Sequence, residues 1–150
     1  MKKFLTFPLI IMLLLTLTCC AKPYNFYKES DLDSVTISII EIKGYIKSTY
    51  QNDVLREDAF NENSYTTLKL VNNTAKIVKD INALQCSRPP FGDRLTKITG
   101  KGVLINYPDG TIEIITDNGS AFINATSVTI NTISFNTNDF NKLLNTYLES

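Results

Sequence analysis

The sequence contains no histidine. That gap removes the commonest general base and the commonest transition-metal ligand together, so most hydrolase and zinc-site readings lose their central residue. Neither sign of charge is in excess: fifteen Lys and Arg stand against fifteen Asp and Glu. No field results that would concentrate nucleic acid, and Arg56, Arg88 and Arg94 are too few for a phosphate-reading surface. Glycine-rich phosphate loops are missing as well, since Gly100 and Gly102 bracket Lys101 without P-loop or dinucleotide spacing. A glycosidase needs only two carboxylates, and fifteen acids supply pairs in any arrangement, so composition neither supports nor dismisses one. No catalytic residue, metal ligand or cofactor is nominated.

What the chain does have is a run of β signals over residues 101–135. Val103, Ile105 and Tyr107 alternate with Leu104 and Asn106; Pro108, Asp109 and Gly110 interrupt, and Ile112 and Ile114 resume a period of two. Pro-Asp-Gly between two such runs predicts a hairpin, because Asp bonds its own backbone and Gly takes positive φ freely. A second turn at Asp117, Asn118, Gly119 and Ser120 predicts a meander of three or four strands. Upstream, Val35, Ile37 and Ile39 alternate, then Ile40 and Ile42 fall on the other phase, which predicts a central strand with a bulge near Ile39 and Ile40. Thr66, Leu68 and Leu70 mark a short strand.

Two amphipathic helices complete the pattern. Asn72, Asn73 and Thr74 offer an N-cap for a helix carrying Ile77, Val78, Ile81 and Leu84 on one face. Near the end, cap candidates at 136–139 precede Phe140, Leu143, Leu144, Tyr147 and Leu148, a full i, i+3, i+4, i+7, i+8 stripe. The expected fold class is α+β: a largely antiparallel sheet of about five strands with two helices packed on one face.

At the N-terminus, Lys2 and Lys3 precede an apolar run over residues 4–17, too short for a comfortable membrane span and suited to a secretory signal. Leu17, Thr18, Cys19, Cys20 and Ala21 follow. This resembles the lipobox of bacterial lipoproteins, with Leu three before and a small residue two before the lipid-accepting Cys. It departs from the family where Cys19 holds a position usually filled by Gly, Ala or Ser. The resemblance covers the N-terminus alone and implies that residues 1–19 are a signal peptide, that Cys20 is acylated, and that the protein sits on the extracytoplasmic side of a bacterial membrane. Each buried acyl methylene contributes about 0.8 kcal/mol, so several chains anchor a protein without a transmembrane helix. Residues 20–33 then read as lipidated Cys and tether, and 34–150 as a single domain. Within the tether Tyr24, Phe26 and Tyr27 either meet the membrane interface or dock on the domain.

Cys86 is the odd cysteine of an exported chain, either a buried thiol or a site of pairing with another molecule. If Cys19 takes the lipid instead, a Cys20–Cys86 disulfide becomes available. One connection has the composition of a recognition loop: Arg88, Phe91 and Arg94, stiffened by Pro89 and Pro90. The expected function is a lipid-anchored, non-catalytic envelope module binding a protein or glycan through that loop or a solvated sheet face. The alternatives are a small envelope hydrolase using acids such as Asp53, Glu57, Asp58 and Glu62, and an inhibitor or immunity-type protein.

Overall fold

The computed structural model describes residues 22–48, 60–87 and 97–150. Strands β1 (Thr36–Lys47), β2 (Tyr65–Leu70), β3 (Lys97–Asn106), β4 (Ile112–Ile115), β5 (Gly119–Ile123) and β6 (Val128–Thr132) form one antiparallel sheet in the order β2-β1-β3-β4-β5-β6. Helices α1 (Thr74–Ala83) and α2 (Thr137–Glu149) share a core with one face of that sheet. The α+β expectation holds, with six strands among the described residues rather than about five. The extra strand arises where Asn124 turns the chain, its side-chain oxygen accepting from the backbone N–H groups of Thr126 and Ser127, both at 2.9 Å.

Local chemistry sets each boundary. In the β3–β4 turn the Asp109 carboxylate accepts from the Thr111 N–H at 2.9 Å, and Gly110 takes φ 81°. Asn73 caps α1 by accepting from Lys76 N–H at 2.9 Å. Asn136 caps α2 by accepting from the N–H groups of Asn138 and Asp139 at 3.0 and 3.2 Å. The register of β1 on β2 slips between Ile39 and Ile40. That bulge sends Ile37 and Ile39 to the helix face and Ile40 and Ile42 to the opposite one. Gly102 on β3 lies so close to β4 that a Cβ there would stand 2.5 Å from the Ile115 carbonyl oxygen.

Over β4, β5, the later part of β3 and the first part of β1, both faces of the sheet are buried. Under the helices, Ile37, Ile39, Val103, Ile105 and Ile115 pack with Ile77, Ile81, Phe140, Leu143 and Leu144. On the other face Ile40, Ile42, Leu104, Ile112, Ile114 and Ile123 form a second cluster with Phe60, whose ring stacks on Tyr65 at 5.5 Å. The solvated sheet face expected for partner binding is therefore corrected for the central strands, while β2 stays exposed. Successive apolar residues, such as Ile39-Ile40 and Val103-Leu104-Ile105, leave no polar side to be wetted.

The tether is corrected too, for residues 22–33. Lys22 pairs with Cys86 in an antiparallel bridge, and Tyr24 and Phe26 are buried in the helix-face core. A 3-10 turn at Glu29–Ser34 then leads into β1. The folded body includes this strap, so it begins upstream of residue 34.

Candidate functional site: an inward acid, a helix groove and an open strand

The strap's destination is Glu113 on β4. Its neighbours Ile112 and Ile114 point into the second cluster, so the pleat turns Glu113 toward the helix side, where it is wholly buried. Both carboxylate oxygens are occupied. Oε1 accepts from the Tyr24 hydroxyl at 2.6 Å; Oε2 accepts from the Tyr107 hydroxyl at 2.6 Å and from the Tyr27 backbone N–H at 3.2 Å. Burial pushes the Glu113 carboxyl above its ordinary range, while the two tyrosine hydrogen bonds and that N–H pull it back. Burial also raises both phenols, and the adjacent Glu113 raises them further. Tyr27 packs edge-on to Tyr107 at 5.5 Å, and Lys28 closes the far end of the strap on Asp109 at 2.7 Å. That contact is the main reason the Asp109 carboxyl is pulled down to about 2. A general base must reach a substrate proton. Among the described residues Glu113 reaches the strap and Tyr107, and these contacts latch the strap to the sheet.

A groove of about 570 Å³ runs between the helices, lined by Asp80, Gln85, Asp139, Lys142, Thr146 and Tyr147 among others. Tyr147 bridges its walls, donating to the Asp80 carboxylate at 2.7 Å and accepting from Lys76 Nζ at 3.2 Å. Lys76 also donates to Asp80 at 2.7 Å, which is the first cause of the lowered Asp80 pKa; the Tyr147 bond is the second. The triangle ties α1 to α2 and separates this groove from a smaller cavity of about 330 Å³ beside Lys69, Leu70 and Asn73. Asp80 is thus an ion already matched, and a group held in its charged form with two donors is a poor proton acceptor at neutral pH.

At one sheet margin, β2 is a terminal strand among the described residues, with Leu68 37% and Leu70 55% exposed. Large exposed aliphatics on a terminal strand are a liability unless a partner uses them.

Cys20, Arg88, Phe91, Arg94, Asp53, Glu57 and Asp58 lie outside the described residues. Glu62 is exposed in a 3-10 turn at Glu62–Ser64 and is not brought near the groove's acids. Cys86 is buried against the strap. Sequence reasoning missed Glu113 because a Glu between two isoleucines reads as the solvated side of a strand. The available signal was the aromatic density of the strap. Among the described residues no three His, Cys, Asp or Glu side chains gather to hold a metal, and no helix is long and apolar enough to cross a membrane. Family models, curated proteins and solved structures offer no match to this chain.

Proposed function

We propose that the chain is a lipid-anchored module of the bacterial cell envelope, acylated at Cys20, that binds an extended segment of another envelope protein along the open edge of β2. The observation that carries this reading is β2 itself. Its outer backbone groups face away from β1, and Leu68 and Leu70 add apolar contact on a rigid element. Strand addition uses that combination: main-chain hydrogen bonds give affinity, and alternate side chains give selectivity. The apolar character of the edge favours a protein segment over a glycan. The lipid anchor is supported by the Leu17 to Ala21 pattern alone.

Two measurements test the two parts. Radiolabelled palmitate fed to the producing cells enters the wild-type protein and is absent from Cys20→Ala; label retained in that variant contradicts the anchor site. A photocrosslinker at Leu68 or Leu70 gives one adduct of defined mass in the envelope fraction, and the same group at Asn145 on the exposed side of α2 gives none. Equal labelling from both places, or none from either, contradicts binding along β2.

A further inference from the structure

We infer that the anchor seats this domain directly on the bilayer in one fixed orientation, with the Lys22–Cys86 end toward the lipid headgroups and the Asp109–Gly110 hairpin away from them. The inference rests on acylation at Cys20.

The length of free chain decides it. Lys22 and Cys86 exchange backbone hydrogen bonds, Cys86 N–H to Lys22 O at 2.8 Å and Lys22 N–H to Cys86 O at 3.1 Å. Two residues later Tyr24 is buried on Glu113. Only Ala21 separates Lys22 from Cys20. Two residue steps span at most about 7 Å. A lipid whose acyl chains lie in the bilayer and whose protein end is fixed so closely cannot hold the domain at a distance.

The topology then defines which end is near. The strap runs from Cys86 toward Asp109, passing Glu113 and Tyr107, so the β3–β4 hairpin is its far end. The turn at residues 124–127 joins β5 to β6 at that same far end, because Ile112 pairs with Ile123. The near end carries Asp117, bonded by Thr137 at 3.0 Å, and Ser134, paired with Ser87.

A second observation concerns charge at the near end. β1 and β3 run past the rest of the sheet in that direction and finish with Lys47 directly opposite Lys97. Like charges facing across strands repel. Neither lysine makes an ion pair among the described residues, and Lys97 sits over the ring of Tyr45, which is 59% exposed. Lysines beside an exposed tyrosine suit an anionic headgroup layer, where the cations are neutralised and the ring lies at the interface.

The chain has no tryptophan, so single reporters can be placed without background. Tyr45→Trp marks the near end and Ala125→Trp the far end; both positions are exposed, and circular dichroism checks that each variant folds. The mature acylated protein is reconstituted in phosphatidylethanolamine–phosphatidylglycerol vesicles containing a dansyl headgroup lipid. The two sites lie on opposite ends of strands that rise about 3.3 Å per residue, so energy transfer from Tyr45→Trp is expected to exceed that from Ala125→Trp several-fold. A flexible Gly/Ser insert of about ten residues between Ala21 and Lys22 collapses the difference. Equal transfer from the two reporters in protein whose intact mass includes the acyl chains overturns the seating and leaves the anchor standing. A mass without acyl chains overturns both.

Discussion

The two faces of the sheet are closed by different chemistry. Away from the helices, isoleucines, Leu104, Val128 and Phe60 make an almost purely aliphatic cluster. On the helix side, the cluster includes five tyrosines and phenylalanines of the strap and the segment around α2, and the buried carboxylate of Glu113 lies against it. An aliphatic face is held by area alone, at roughly 25 cal/mol per Å² buried, and accepts neighbours of about the right size. A face with a buried acid is selective. Only a segment that brings hydroxyl and N–H donors to both carboxylate oxygens can cover it, since a buried acceptor without partners is expensive. The strap supplies Tyr24 and the Tyr27 N–H, so its position on the fold is fixed by hydrogen bonds as well as by ring burial.

The comparison breaks most severely if the strap is removed. A chain beginning at Ser34 exposes the aromatic core and leaves Glu113 with Tyr107 as its remaining partner among those described. It is expected to lose cooperative unfolding altogether; a sharp urea transition like that of the mature protein would show the strap to be dispensable. Ile114→Ala on the aliphatic face should cost about 4 kcal/mol, the usual range for emptying a buried aliphatic site. Glu113→Ala should cost somewhat less, about 3 kcal/mol, because two buried tyrosine hydroxyls lose their acceptor. Urea titration ranks the two. In addition, Glu113→Ala alone should speed proteolysis within residues 22–33, whereas Ile114→Ala should not favour that segment.

The smallest effect is also the most specific. Burial raises the Glu113 carboxyl in the folded state. Its contribution to stability is therefore fully present below the ordinary carboxyl pKa of the unfolded chain and is lost as pH rises through the folded value. Glu113→Gln keeps the shape without the titration, so from mildly acidic to neutral pH the wild-type protein should lose stability relative to this variant. Parallel pH profiles would remove the titrating role of Glu113. In alkali the raised phenols act in the same sense: their contribution is present below about pH 10 and falls away above it, as burial first, and then the adjacent carboxylate, makes Tyr24 and Tyr107 resist ionisation.

Much of the frame was legible before any coordinates. Pro108-Asp109-Gly110 specified the hairpin, the slip at Ile39 and Ile40 specified the bulge, and the stripe from Phe140 to Leu148 specified α2, because each is a local pattern with a local cause. The errors were long-range. Residues 22–33 have no periodicity, and their burial depends on an acid some ninety positions away. The second buried face was hidden for a similar reason: consecutive apolar residues in β1, β3 and β4 announce burial on both sides, but spacing does not say against what. The place of β2 at the margin of the described sheet followed from strand order, which spacing alone does not set.

The central claim, that residues 22–33 belong to the folded body, is tested most directly by amide hydrogen exchange on the mature protein. The Lys22 N–H is bonded to Cys86 O and the Tyr27 N–H to Glu113. Both should exchange slowly, with protection approaching that of the β4 amides and falling together in Glu113→Ala. Exchange of Lys22 and Tyr27 at the free-chain rate, with β4 still protected, would contradict the account.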